Sequence, residues 1–275
     1  MTTLTLSPKV SVTSRVEDLL WQGGLIIIAF LPVTFLVSLY DPRQLNEINI
    51  WSKPMKFYSS VGLHMITIAF IARFIDYDVR RKFSVYVLGW VLTFTAIFEL
   101  AYLTMQAARG RHSHWNFETT FESLMYAAMG IGAVILILIP VVIGLLVYRY
   151  PVREMRQGLR LGILLGMILG FFTTLIVAGY MSQTYGHWVG GVQSDADGLP
   201  IVGWVRSGGD LRVPHFFATH LMQIIPVIGF IADRFSQRPR LIVVIASTIG
   251  VGMVAFTFLQ ALSCLLYTYP SPRDL

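Results

Sequence analysis

Seven long apolar stretches, set end to end, constrain this 275-residue chain more than any other feature. A helix of about 20 residues is long enough to cross the hydrocarbon core of a bilayer. The stretches are Leu20–Tyr40, Phe57–Ile75, Phe83–Met105, Phe121–Tyr148, Leu161–Met181, Phe216–Ala232 and Leu241–Ser263. They leave no room for a second globular core. We therefore predict an all-α protein, a polytopic bundle of seven transmembrane helices that forms one integral membrane domain over residues 1–263.

The composition excludes a soluble globular protein, because 55% of the residues are hydrophobic and only 13% are charged, whereas soluble domains carry roughly a quarter charged residues. The single cysteine, Cys264, excludes an internal disulfide, a thiolate metal cage and a Cys-x-x-Cys redox pair. The tail from Cys264 to Leu275 resembles translated sequencing adapter. We expect this tail to be non-native.

The distribution of Lys and Arg predicts the orientation. Seven spans place 13 basic residues on the side of the amino terminus and eight on the other side. The positive-inside rule then places the amino terminus in the cytoplasm of a bacterial inner membrane. We expect the basic residues there to contact anionic lipid head groups of the bilayer, and not nucleic acid. The polar first 19 residues and the 21-residue span that follows indicate a retained helix.

Two further patterns concern packing. Gly162, Gly166 and Gly170 form a smooth stripe that allows a close approach by another helix, either in the same chain or in an oligomer. The long fifth loop, residues 183–214, contains Trp188-Val189, a turn-forming segment, and Ile201–Val205. This pattern predicts a short external β-hairpin.

All six histidines fall in the loops or half-helices on the side opposite the amino terminus. His64, Glu99 and His220 lie about 10, 9 and 6 Å inside their spans if the helix rises 1.5 Å per residue. We predict that they line an outward-facing cavity that binds heme b or a divalent metal. The alternative is three unrelated buried polar groups. Gln106 and Gln223 fall at a similar level and are candidate ligand-binding residues.

The third loop is rich in side chains that bind ligands. Arg109 and Arg111 could bind an anion or a lipid phosphate. His112 and His114 could chelate a metal together with His215, if the segment is extended. We expect this loop to lie beside the start of the sixth span, where Arg109 or Arg111 would pair with Asp210, and Arg212 with Glu118. Asn116 or Thr119 should cap the fourth helix.

Two resemblances add expectations. Trp51 to Phe57, Gln106 to Asn116 and Gly209 to Phe216 resemble a family of bacterial seven-helix inner-membrane proteins without an assigned activity. Ser60-x-x-x-His64 is similar to the Ser-x-x-x-His of seven-helix metal hydrolases that include alkaline ceramidases, and this resemblance implies a histidine-bound zinc that activates water.

Three functions remain open. The first is a membrane protein that binds a prosthetic group or a metal at His64, Glu99 and His220. The second is a small-solute or proton-coupled carrier or sensor, in which Glu99 would be the proton site, because intramembrane carboxylates commonly mark such pathways. The third is a membrane-embedded metal-dependent lipid hydrolase. Whether the protein is an enzyme is left undecided by the residues.

Overall fold

The structure is a computed structural model that describes residues 15–184, 186–196 and 198–264. These residues form eight helices, α1 (Val16–Tyr40), α2 (Ser52–Ala72), α3 (Tyr77–Arg80), α4 (Phe83–Ala108), α5 (Thr120–Arg149), α6 (Gln157–Gln183), α7 (Arg212–Phe235) and α8 (Pro239–Leu262). All except the single turn α3 are long and apolar enough to cross a membrane. The predicted seven-helix bundle is confirmed. The expected non-native tail lies, from Leu265 onward, outside the described residues.

Several helices extend further into polar sequence than the apolar stretches indicate. α2 begins at Ser52 and α7 begins at Arg212, four or five residues before the hydropathy rises. Hydropathy detects only the part of a helix that lies in hydrocarbon, whereas the helix itself continues into the interface. The depths predicted from the sequence were measured from the ends of the apolar stretches, so the distances from the ends of the helices are larger. At 1.5 Å per residue, His64, Glu99 and His220 lie about 18, 14 and 12 Å from the nearby helix ends.

The loops 41–51, 109–119 and 184–211 share one end of the bundle, which we call the polar end. Two short strand pairs lie here. β1 (Gln44–Leu45) pairs with β2 (Ile48–Asn49), and β3 (Trp188–Val189) pairs with β4 (Gly209–Asp210). The prediction that β3 pairs with Ile201–Val205 was wrong, because its partner is β4. Leu199 N donates to Trp204 O at 2.8 Å, so this segment uses its backbone groups in a local turn.

The other end, called the amino-terminal end, carries the loops 73–82, 149–156 and 236–238. From Arg15 onward, the residues at and beside this end comprise twelve Lys and Arg against six Asp and Glu. The described residues of the polar end comprise seven Lys and Arg and six Asp and Glu. The net positive charge of the folded chain is therefore concentrated at the amino-terminal end.

The glycine stripe of α6 packs against α7 of the same chain. A Cβ added at Gly162 would lie 2.8 Å from Ile225 O, and one at Gly166 would lie 2.8 Å from Pro226 Cδ. A Cβ at Gly170 would lie 2.6 Å from Met222 Cγ. The two helices therefore approach so closely that a methyl group would not fit. The glycine stripe therefore packs within the chain, and an oligomer stays a prediction.

Candidate functional site

An ion-pair network joins the end of α4, the following loop and the start of α5. Glu122 is buried, and its carboxylate accepts a hydrogen bond from Arg111 Nη1 at 2.6 Å. Thr119 caps α5, because its Oγ1 accepts from Glu122 N at 3.2 Å. Arg111 also pairs with Glu118. The predicted cap at Thr119 is confirmed, and the network satisfies a carboxylate that would otherwise be costly to bury.

Two of the predicted ligand-binding residues complete this network. Gln106 is fully buried and donates from Nε2 to Tyr102 OH at 2.9 Å. Arg109 donates to Gln106 Oε1 at 2.9 Å and lies 3.9 Å from Glu122. The predicted pairing of Arg109 or Arg111 with Asp210 was therefore wrong, since both arginines are used within their own segment.

A second network holds the 184–211 loop against the start of α7. Arg212 Nη2 lies 2.7 Å from Asp210 Oδ2 and 2.9 Å from Asp195 Oδ1. Asp210 is fully buried and also accepts from Val205 N at 2.9 Å. The predicted pair of Arg212 with Glu118 was wrong, because Arg212 reaches the closer carboxylates of its own loop.

A buried histidine extends this second network. His187 Nε2 donates to Asp195 Oδ1 at 3.0 Å. Burial lowers the pKa of His187, although the hydrogen bond to Asp195 acts in the opposite direction. Burial alone would raise the pKa of Asp195, but the hydrogen bond from His187 and the charge of Arg212 together lower it. The acid is therefore charged and the histidine neutral near neutral pH.

Two lysines in the first turns of α2, Lys53 and Lys56, lie between the networks and have no carboxylate partner among the described residues. Lys53 Nζ donates to Nδ1 of His114 at 3.2 Å, and Lys56 Nζ donates to Val202 O at 2.9 Å. Burial lowers the pKa of His114 well below its usual range, so this ring is a neutral acceptor. Arg212 and Asp195, which carry opposite charges, both lie close enough to Lys53 to act on it electrostatically. Both lysines are half-buried cations bonded to uncharged atoms.

The first turn of α2 is unusual for a helix start. Its N-cap, Trp51, makes no side-chain cap hydrogen bond, and the first turn contains no acidic residue. The positive end of the helix dipole favours negative charge, and here it meets two lysines instead. Trp51 itself is anchored, because its Nε1 donates to Asp41 Oδ2 at 2.9 Å. The hydrogen bond from Arg43 holds the pKa of Asp41 well below its usual range.

Aromatic rings and buried N–H groups surround His114. The rings of Phe57, Trp115 and Tyr126 have centroids 6.1, 5.9 and 6.1 Å from the His114 ring. Trp115 Nε1 and His215 Nδ1 are buried and have no hydrogen-bond partner in the described part of the chain. His215, in the first turn of α7, lies close enough to His114 to act on the pKa of its ring. The third loop and the first turn of α7 therefore face each other, as predicted.

The three predicted cofactor residues lie deeper in the bundle and do not share a hydrogen-bond partner among the described residues. His64 Nε2 donates to Leu136 O of α5 at 3.1 Å, and His220 Nδ1 bonds to Phe216 O at 2.7 Å. His220 lies close enough to His64 to act on it electrostatically. Glu99 instead faces Gly132 of α5. The predicted ligand-binding residue Gln223 has a buried Oε1 without a partner among the described residues.

The candidate metal ligands do not converge. Across the ranges that the structure describes, no group of three His, Cys, Asp or Glu side chains could hold a metal ion. The predicted metal ligands His112, His114 and His215 stay a prediction. Ser60 Oγ bonds to Phe57 O at 3.4 Å, so the serine and histidine of the hydrolase-like motif also use different partners.

Sequence reasoning missed Lys53 and Lys56 as site residues because it assigned them to a loop. One pattern in the sequence indicates a helix start with unpaired positive charge: Pro54 lies between two lysines, and the first turn has no acidic residue.

No family model, no curated protein and no solved structure matches this chain.

Proposed function

We propose that this multi-pass membrane protein binds a small anion at its polar end, as a binding or sensing protein, with Lys53 and Lys56 as the charged ligands. The observation that carries the proposal is that neither lysine has a carboxylate partner in the part of the chain that the structure describes. Both lysines are half-buried, and a cation that is partly removed from water is stabilised by an opposite charge. A bound anion would supply the missing counter-charge.

Three arginines of the same end differ from the lysines, because each pairs with a carboxylate. Arg43 pairs with Asp41, Arg111 with Glu118 and Glu122, and Arg212 with Asp195 and Asp210. These cations therefore have counter-ions within the chain and do not need a ligand.

The surroundings of the two lysines favour an anion over a cation or a neutral solute. The uncapped start of α2 directs its positive dipole end to this place. Two buried nitrogens can extend the site, because Trp115 Nε1 and His215 Nδ1 have no hydrogen-bond partner among the described residues, and either can donate a hydrogen bond. The rings of Phe57 and Tyr126 exclude water from one side, which strengthens a charge-assisted hydrogen bond.

The other predicted functions lack a comparable observation. Heme or metal binding at His64, Glu99 and His220 and hydrolysis at Ser60 and His64 stay predictions, and no contact among the described residues favours them. We also propose that the amino-terminal end faces the cytoplasm of a bacterial inner membrane and contacts anionic lipid. The concentration of net positive charge at that end supports this orientation.

Thermal unfolding of the full chain in nanodiscs of neutral lipid tests the anion site. Sodium phosphate, acetate and gluconate are compared at constant ionic strength. We expect at least one anion to stabilise the wild type, by about 2.7 kcal/mol at a concentration of 100 Kd. The double variant Lys53→Gln, Lys56→Gln should lose the effect.

Arg43→Gln is the matched control, because Arg43 is a basic residue of the same end that is already paired. It should keep the anion response. An equal response in the lysine double variant and in the wild type would refute the proposal.

A further inference from the structure

The positive charge of the amino-terminal end is concentrated on one side of that end. Residues 15–18 and 73–82 together carry five Lys and Arg against four Asp and Glu. Residues 149–160 and 233–240 carry seven arginines against two acids, Glu154 and Asp233. We call these last two segments the basic surface. They connect α5 to α6 and α7 to α8, so most of the net charge of this end lies beside these four helices.

The two segments of the basic surface contact each other. Arg156 Nη1 donates to Asp233 O at 2.7 Å. The carboxylate of Asp233 accepts from two backbone N–H groups at the start of α6, at 2.7 and 2.8 Å. This acid therefore stabilises the positive end of a helix dipole. None of the seven arginines forms an ion pair with a carboxylate among the described residues.

Three arginines of the basic surface lie over exposed aromatic rings. The guanidinium carbon lies 5.2 Å from the ring centre for Arg149 over Tyr150, 4.8 Å for Arg160 over Tyr148 and 5.1 Å for Arg234 over Phe230. A ring contacts the face of the guanidinium group and leaves N–H donors on its edge for another acceptor. These rings lie at the ends of spanning helices, so the three guanidinium groups are held at the level of the lipid head groups.

The chemistry of these groups matches a phospholipid better than a soluble partner. A guanidinium group binds phosphate oxygens through two parallel hydrogen bonds. The exposed rings beneath the arginines require an apolar neighbour, which an acyl chain provides at the same depth. An anionic phospholipid presents both the phosphate and the acyl chains.

We infer that the basic surface is a binding site for anionic phospholipid, with Arg149, Arg160 and Arg234 as the residues that bind the phosphate groups. This inference rests on the proposed contact of the amino-terminal end with anionic lipid. It adds that the lipid binds beside α5 to α8 and not beside residues 73–82, where acids balance the basic residues. The site lies at the opposite end of the bundle from the anion site at Lys53.

Native mass spectrometry of the full chain tests this inference. The protein is taken from nanodiscs that contain equal amounts of phosphatidylglycerol and phosphatidylcholine with the same acyl chains, and the retained lipids are counted. We expect the wild type to retain more phosphatidylglycerol than phosphatidylcholine. One arginine at an anionic surface changes binding about fivefold. The ratio of the two retained lipids should therefore fall about fivefold in Arg149→Gln and in Arg234→Gln.

Arg73→Gln is the matched control, because Arg73 is exposed and lies 5.5 Å from the ring centre of Trp21 at the same end. It should keep the wild-type ratio. An equal fall in Arg73→Gln would overturn the location of the site, and an unchanged ratio in both Arg149→Gln and Arg234→Gln would overturn the site itself. Sodium phosphate at constant ionic strength should not displace the retained lipid; displacement would overturn the lipid as the occupant.

Tyr150→Leu tests the role of the ring without a change in charge. Arg149 would then have to be ordered when the lipid binds, which weakens binding by about 2–12-fold. Tyr40→Leu, at an exposed tyrosine of the polar end, should keep the ratio. A wild-type ratio in Tyr150→Leu would overturn the role of the ring. Both leaflets of the nanodisc have the same composition, so these results do not depend on the orientation of the chain, which reporters fused to the loops test separately.

Discussion

Replacement of Gly166 by alanine should destabilise the protein, because α6 and α7 meet at this residue without room for a methyl group. The added Cβ would lie 2.8 Å from Pro226 Cδ and 2.9 Å from Leu221 O, where ordinary contacts are 3.4–4 Å. Overpacking of this kind costs about 1–3 kcal/mol. Alanine regains about 1 kcal/mol of helix propensity. The net loss in the free energy of unfolding should be about 0–2 kcal/mol.

Gly179 on the same helix is the matched control, since nothing lies within 4 Å of an added Cβ. Gly179→Ala should gain up to about 1 kcal/mol from helix propensity alone. Reversible unfolding in mixed micelles with a rising fraction of dodecyl sulfate, followed by circular dichroism, gives both values. If Gly166→Ala were as stable as Gly179→Ala, the close packing of α6 on α7 would be refuted.

Three further predictions concern pH, an ion pair and topology. Burial lowers the folded-state pKa of His114 and His187 below the ordinary 6.5, so the unfolded chain binds more protons below that pH. Stability should fall on acidification by up to about 1.4 kcal/mol per histidine and pH unit; unfolding at pH 7 and pH 5 measures this, and a glutamine at either position should reduce the slope. Asp210→Asn removes a buried partner of Arg212 and should cost about 3 kcal/mol in chemical unfolding; a loss below that of Asp41→Asn would contradict it. A reporter fused after Met155 should be active in the cytoplasm and one fused within 184–211 only outside it; the reverse pattern would invert the orientation.

The sequence was sufficient for the bundle and for local helix ends, because these depend on neighbouring residues. Apolar runs of span length identify the helices whatever their partners. Thr119 and Glu122 form a cap three residues apart, a spacing that is visible in the chain. The glycine stripe of α6 likewise predicts close packing, but which helix fills it depends on the whole bundle.

The ion pairs of the polar end could not be predicted because several partners were available to each arginine. Arg111 and Arg212 pair with carboxylates of their own segments. Such a pair closes only a short loop, which costs less chain entropy than an ion pair between two distant loops. Lys53 was missed for a different reason. Its site exists only because α2 begins inside polar sequence, and because His114 and the 184–211 loop are folded over its first turn.

The most direct test of the anion site is a crystal structure of the full chain in lipid with sodium selenate, with diffraction recorded at the selenium edge. Selenate has the charge and shape of a small oxyanion, and its selenium scatters anomalously. We predict an anomalous peak within hydrogen-bond distance of Lys53 Nζ, at the first turn of α2, that is absent in Lys53→Gln. A structure in which Lys53 Nζ binds a carboxylate of the chain, with no peak beside it, would contradict the proposal.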